Sequence, residues 1–214
     1  MSVAQEFRPT LREELAGWRP ATRRAVFVLL ALVIVAVAVW LVVPRHNGVH
    51  YVHRSAPVFN LRYAEAFKRL EPQRGELLHI RRKGPRGRVL DTFSVQRLRL
   101  PPYTGDVNGL LPVYAESVLA ELRHAYPRLK LLEEGKARVN LVAGYYLLFR
   151  VGKGKDRMFG REVLLPEPRP GARDGVQMAL RTFKGSGVGT ARDLGAHGAL
   201  KTPYRSFRYG TEAP

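Results

Sequence analysis

Cysteine is absent from the 214 residues, which excludes disulfides, thiolate metal sites and cysteine nucleophiles. It leaves an oxidising compartment open, because a core of this size needs no covalent staples. Acidic residues are scarce: 18 Asp and Glu stand against 36 Lys and Arg, a net charge of +18. Such a chain favours anionic partners, whether phospholipid surfaces, anionic polymers, nucleic acids or acidic proteins. Catalytic signatures are missing as well. There is no Gly-x-Ser-x-Gly, no His-Glu-x-x-His, no EF-hand loop and no glycine loop ending in Gly-Lys-Ser/Thr. Hydrolase, zinc-protease, calcium and phosphate-loop chemistry therefore have no starting point, and neither a catalytic residue, a metal ligand nor a cofactor is assigned.

What is present begins with one long apolar run. Ala25 to Val43 contains no charge, and fourteen of its nineteen residues are Leu, Ile, Val or Phe. As a helix it would span roughly 28 Å, close to the hydrocarbon thickness of about 30 Å, and its insertion would be favourable by about 6 kcal/mol. Trp18 and Trp40 stand where interfacial aromatics sit, and Pro44 ends the segment. Arg8, Arg12, Arg19, Arg23 and Arg24 precede it, against Arg45, Arg54 and Arg62 after it. That bias predicts a cytoplasmic N-terminus and an outside C-terminus. A cleaved signal peptide is the competing reading, but no small-x-small site follows Val43. The sequence thus divides into a cytoplasmic segment 1–24, a signal-anchor helix 25–43, a tether 44–57 and an extracytoplasmic domain 58–214. The first 43 residues hold five Arg and three Glu, so the remaining 31 bases and 15 acids carry +16. Arginine makes up 28 of the 36 bases, which a GC-rich genome also produces without selection for binding.

Within the domain, hydrophobic alternation predicts strands at Val58 to Tyr63, Glu76 to Arg82 and Val89 to Leu100. Leu111, Tyr114, Ala115, Val118, Leu122 and Ala125 recur at helical spacing, so Asn108 to Ala125 reads as the one clear helix, ended by Pro127. Further strands are expected at Leu129 to Leu132, Val139 to Gly152, Met158 to Leu165 and Val176 to Phe183, and a last one at Tyr204 to Tyr209. Strands, one long helix, then strands again is an α+β order: an antiparallel sheet of about six or seven strands covered by helices.

That order, with Gly144-Tyr145-Tyr146 entering a long strand, Phe159-Gly160-Arg161-Glu162-Val163 on the return strand, a strand through Met178 and a closing Phe207-Arg208-Tyr209, resembles the PsbP-like superfamily over residues 56 to 210. The resemblance implies a PsbP-like fold and a binding or accessory role. Thr190 to Thr202, where the resemblance places a terminal helix, contains Gly195 and Gly198 instead.

Two basic clusters are the candidate sites. Arg81, Arg82, Lys83, Arg86 and Arg88 crowd one predicted hairpin, and Lys153, Lys155, Arg157 and Arg161 another. Both fit an anionic lipid headgroup surface or cell-wall polymer, at about 1 kcal/mol per cation near an acidic leaflet. Solvated turns are the bland alternative. Nucleic acid would require aromatics interleaved with the cations for base stacking, and neither cluster has more than one, so nucleic acid is not the expected partner. The three tether histidines, His46, His50 and His53, lie in a positive local field without a carboxylate, which opposes metal binding. Gly185 to Thr190 reads as a surface loop, His79 and His124 as structural, and Glu133-Glu134 as a solvated turn. The expected function is a single-pass membrane-anchored accessory module for a protein partner or an anionic envelope surface. An envelope enzyme with a noncanonical site is the alternative.

Overall fold

A computed structural model describes residues 26–35 and 48–212, and the expected cytoplasmic segment 1–24 lies outside them. Of the apolar run 25–43, residues 26–35 form a helix, α1, whose Phe27, Leu29, Leu32 and Ile34 are each more than half exposed. The rest of the run lies outside the described residues, among which no helix is long and apolar enough to cross a membrane. Residues 47–214 form a separate unit.

That unit contains two antiparallel sheets. The larger has the order β3-β4-β5-β9-β8-β7-β6, built from Phe67–Leu70, Glu76–Lys83, Val89–Arg99, Asp174–Phe183, Met158–Pro166, Val142–Val151 and Leu129–Val139. Its two halves are meanders, β3-β4-β5 and β6-β7-β8-β9. They are joined in sequence by the helix α2, Val107–Ala125, and in space by the pairing of β5 with β9 from Asp91↔Thr182 to Arg99↔Asp174. The smaller sheet is β1-β2-β10: Val49–His53, Phe59–Tyr63 and Arg208–Tyr209.

Each face of the larger sheet has its own core. Asp106 caps α2, accepting from the Asn108 amide at 3.0 Å. The helix then lays Leu111, Ala115, Val118, Leu119 and Leu122 on Leu147, Phe149, Met158 and Leu164. Each of these side chains larger than Ala115 contributes about 1.5–3 kcal/mol by leaving water. The opposite face, with Phe93, Val95, Val163, Met178 and Leu180, is covered by the small sheet and by residues of the 191–207 segment. There Phe59 stacks on Phe207 at 5.5 Å, and Tyr209 meets Phe207 edge-on at 5.4 Å. The Tyr209 hydroxyl accepts from the Val176 amide and donates to the Leu165 carbonyl, stitching the C-terminal segment to β8 and β9.

The α+β order is as expected, with three corrections. One long helix covers one face only, and a second sheet covers the other, because β2 is buried on both sides and cannot serve as an edge of the main sheet. The segment 44–57, expected as a tether, holds strand β1 at Val49–His53, paired residue for residue with β2. Its Val and Tyr favour strand, and Phe59 offers a surface against which to pack. Tyr204 to Tyr209, expected as a strand, is the end of a short helix α3, Lys201–Ser206, followed by the two residues of β10.

Buried charge is paired. Glu162 and Arg181, 2% and 12% exposed at their side chains, form an ion pair on the α2 face. Gln177 donates to Glu162 at 3.1 Å, and the Arg181 guanidinium lies 4.9 Å from the centre of the Phe149 ring. Replacing Glu162 by Gln leaves Arg181 charged and uncompensated. Urea denaturation should show a loss of about 3–5 kcal/mol for Glu162→Gln, and less for Glu162→Leu combined with Arg181→Met.

Candidate functional site

The two basic hairpins lie at one end of the main sheet. The β4–β5 turn, Gly84 to Arg88, is closed by the Gly84 amide on the Arg88 carbonyl at 2.8 Å, with Arg86 and Gly87 at φ 61° and 73°. The β7–β8 turn runs through Gly152 and Gly154, both at positive φ. Strand β9 alone separates β5 from β8, so the two turns stand about 10 Å apart. A bond spans the gap: Arg88 Nη2 donates to the Lys155 carbonyl at 3.2 Å. Lys184, one residue past the end of β9, is exposed at the same end, as is Arg128 just before β6. Lys83, Arg86, Arg88, Lys153 and Lys155 are exposed, and the Arg157 guanidinium rests 4.5 Å from the centre of the Phe159 ring. Sequence reasoning had no means to include Lys184 or Arg128, which only the strand order brings into this group.

Three of the expected cluster residues depart from it. Arg82 turns to the small-sheet face and pairs with the buried Asp91, Nε donating at 2.6 Å, while Thr182 donates to the other Asp91 oxygen at 2.7 Å. Arg81 points to the α2 face, where it lines a cavity of about 210 Å³ with Lys68, Lys83 and Leu70. Strand alternation forces this split, since neighbours on a strand face opposite ways. Arg161 sits three residues into β8, between the rings of Tyr146 and Tyr204 at 5.1 and 5.7 Å, with Nη1 donating to the Leu194 carbonyl at 2.7 Å.

Arg161 forms the floor of a second feature that sequence reasoning missed. A cavity of about 340 Å³ is lined by Arg138 of β6, Arg161, Arg192, Arg205 of α3, Asn140 and Tyr204 among others. These residues span 67 positions of sequence and share no motif. Gly195 is the one local hint: at φ +84° and with Tyr204 against its Cα, it lets the loop close over the arginines. Beside the cavity, Glu133 is held below the usual carboxylate range, first by the Tyr146 hydroxyl that donates to it and then by Arg192 at 2.9 Å. Burial raises the Tyr204 phenol.

The remaining candidates have structural surroundings. His46 lies outside the described residues. His50 and His53 stand on β1 at odd spacing and so on opposite faces, and His53 stacks on Phe59 at 5.0 Å. Among the described residues no three His, Asp or Glu side chains converge as a metal would require. His79 Nδ1 lies 3.1 Å from Glu76. In the Gly185–Thr190 loop, the Thr190 amide and hydroxyl are both spent on Asp193, at 3.0 and 2.8 Å. Glu133 and Glu134 alternate half-buried and exposed, on opposite faces of β6.

The architecture is similar to two solved structures. Cyanobacterial PsbP (CyanoP) from Synechocystis sp. PCC 6803 superposes with a TM-score of 0.51 at 13% identity, covering 76% of this chain and 92% of that one. The fold is PsbP-like. LpqN of Mycobacterium tuberculosis, described as involved in cell envelope biogenesis, superposes with a TM-score of 0.50 at 12% identity, covering 78% of this chain and 91% of that one. No family model and no curated protein matches the sequence.

His53 offers a titration test of the small sheet. Its imidazole lies below the ordinary 6.5, first because burial disfavours the cation and then through Arg97 and Arg69. An NMR titration should place its midpoint below 6.5, and Arg97→Gln should move it upward. The unfolded chain takes up this proton more readily than the folded one, so His53 subtracts stability as pH falls below 6.5.

Proposed function

We propose that this chain is a single-pass membrane-anchored, extracytoplasmic accessory module whose basic end seats on an anionic envelope surface. The observation that carries the reading is the convergence of both basic hairpins at the end of the sheet where the chain enters the domain. Gly48 is packed against Tyr63 and Ala64, at a φ of +86° and so close that a Cβ would collide with the Tyr63 carbonyl. Ala64 begins the turn into Phe67, which pairs with Arg82 beside the β4–β5 hairpin. Anionic headgroups would then meet Lys83, Arg86, Arg88, Lys153, Lys155, Arg157 and Lys184, with Asp156 the one acid within the turn sequences 84–88 and 152–157.

At the opposite end of the sheet the β3–β4 and β8–β9 loops mix signs, with Glu71, Arg74, Glu167, Arg169 and Arg173. At about 1 kcal/mol per cation near an acidic leaflet, the basic end supplies enough for salt-sensitive docking without a deep pocket. The absence of a catalytic motif and the envelope role stated for LpqN support an accessory rather than an enzymatic task.

Residues 47–214 carry both hydrophobic cores and suffice for the test. Vesicles containing phosphatidylglycerol should sediment the domain at low salt and release it at high salt, while phosphatidylcholine vesicles should leave it in solution. Neutralising Arg86, Arg88, Lys153 and Lys155 to Gln should weaken binding between about tenfold and a thousandfold. Equal, salt-insensitive recovery with both lipids would refute the proposal.

A further inference from the structure

The arginine-lined cavity calls for a ligand of its own. Arg138, Arg161, Arg192 and Arg205 converge on about 340 Å³, and no Asp or Glu is among the residues that line it. Glu133, beside the cavity, is already engaged by Tyr146 and Arg192. One carboxylate against four arginines leaves an excess of like charge, which an oxyanion would relieve.

The floor is prepared for one. Arg161 is held in place by the Leu194 carbonyl and by two tyrosine rings, and its Nε is buried without a hydrogen-bond partner. Arg138 and Arg205 stand exposed around the rim, free to bring their forked donors onto the same group, while Arg192, also exposed, keeps its Nη groups beside its Nε pairing with Glu133.

Size narrows the ligand. The cavity falls at the lower end of the range for small-molecule sites, and a bare phosphate would leave most of it empty. Its wall also offers Val139, Ala196 and the Tyr204 ring, surfaces suited to a small uncharged body beside the anion. We infer that the cavity is a binding site for a phosphomonoester of about sugar-phosphate size.

The site is separate from the basic hairpins. Arg138 and Asn140 adjoin the β6–β7 turn, where Val139 pairs with Val142, at the end of the sheet away from Arg88 and Lys155. Failure of the site would thus leave the docking proposal standing, and the reverse holds as well.

The test uses the full chain in a nonionic detergent and isothermal titration calorimetry. Glucose 6-phosphate should bind saturably at one site, and glucose should not. Arg138→Gln with Arg205→Gln, both at exposed rim positions, should weaken binding at least about tenfold with an unchanged melting temperature. Arg86→Gln with Lys153→Gln should leave it unchanged. Micelles carrying phosphatidic acid form the second arm: binding that glucose 6-phosphate displaces would support the same phosphomonoester site with a lipid headgroup as its source. Three outcomes overturn the inference: no saturable binding in either arm, binding indifferent to the rim variants, or inorganic phosphate bound as tightly as the ester.

Discussion

The pairing of β5 with β9 is the constraint on which the rest of the molecule depends. The β3-β4-β5 meander and the β6-β7-β8-β9 meander are each held by local hairpins, but nothing local joins them. Joining them requires α2 to cross the sheet, so the helix lies over β7 and buries its apolar stripe there. The same register fixes which ends of the strands coincide. With Asp91 opposite Thr182 and Phe183 opposite Met158, the β4–β5 turn and the β7–β8 turn must fall side by side. A seam between residues about 90 positions apart thereby creates the basic end.

An unusually basic chain folds here with its buried charges paired. Acids are few, and many of those described are committed within the domain. Asp91 holds Arg82 and Thr182, Glu162 holds Arg181 and Gln177, Glu133 holds Tyr146 and Arg192, and Asp193 ties the Thr190 turn. Most surface cations are consequently left without a carboxylate partner, and two groups of them gather at the hairpin end and around the arginine cavity. Tight turns fix the backbone beneath the first, and two tyrosine rings hold Arg161 in the second.

Much of this was legible in the chain. The helical spacing from Leu111 to Ala125 located α2, because only one face of a helix can meet a sheet and its residues must recur every three or four. Strands β5, β8 and β9 were legible by their β-formers, and the closing Phe207-Arg208-Tyr209 carried the resemblance to the PsbP-like fold. Of the small sheet only β2 was legible, and the short edge strand β3 of the larger sheet was not. Strand β1 is five residues of mixed polarity, β3 is four, β10 is two, and α3 is a single short turn with Pro203 inside it. Each is stabilised by what it touches: β1 by β2, and the C-terminal turn by Asn60 and Asn140, whose amides donate to the carbonyls of Gly210 and Phe207. Such elements have no propensity signal strong enough to be read locally.

The sequence by itself determined the uncharged run at 25–43, the excess of cations, the two basic hairpins and the order of the main strands, since composition, periodicity and turn residues are local properties. Tertiary structure decided which cations act together. It took Arg82 into an ion pair and Arg161 into a cavity, and it brought Lys184 to the hairpins and Arg138, Arg192 and Arg205 to Arg161. Strand alternation and strand order made those choices, and both depend on contacts between segments far apart in the chain.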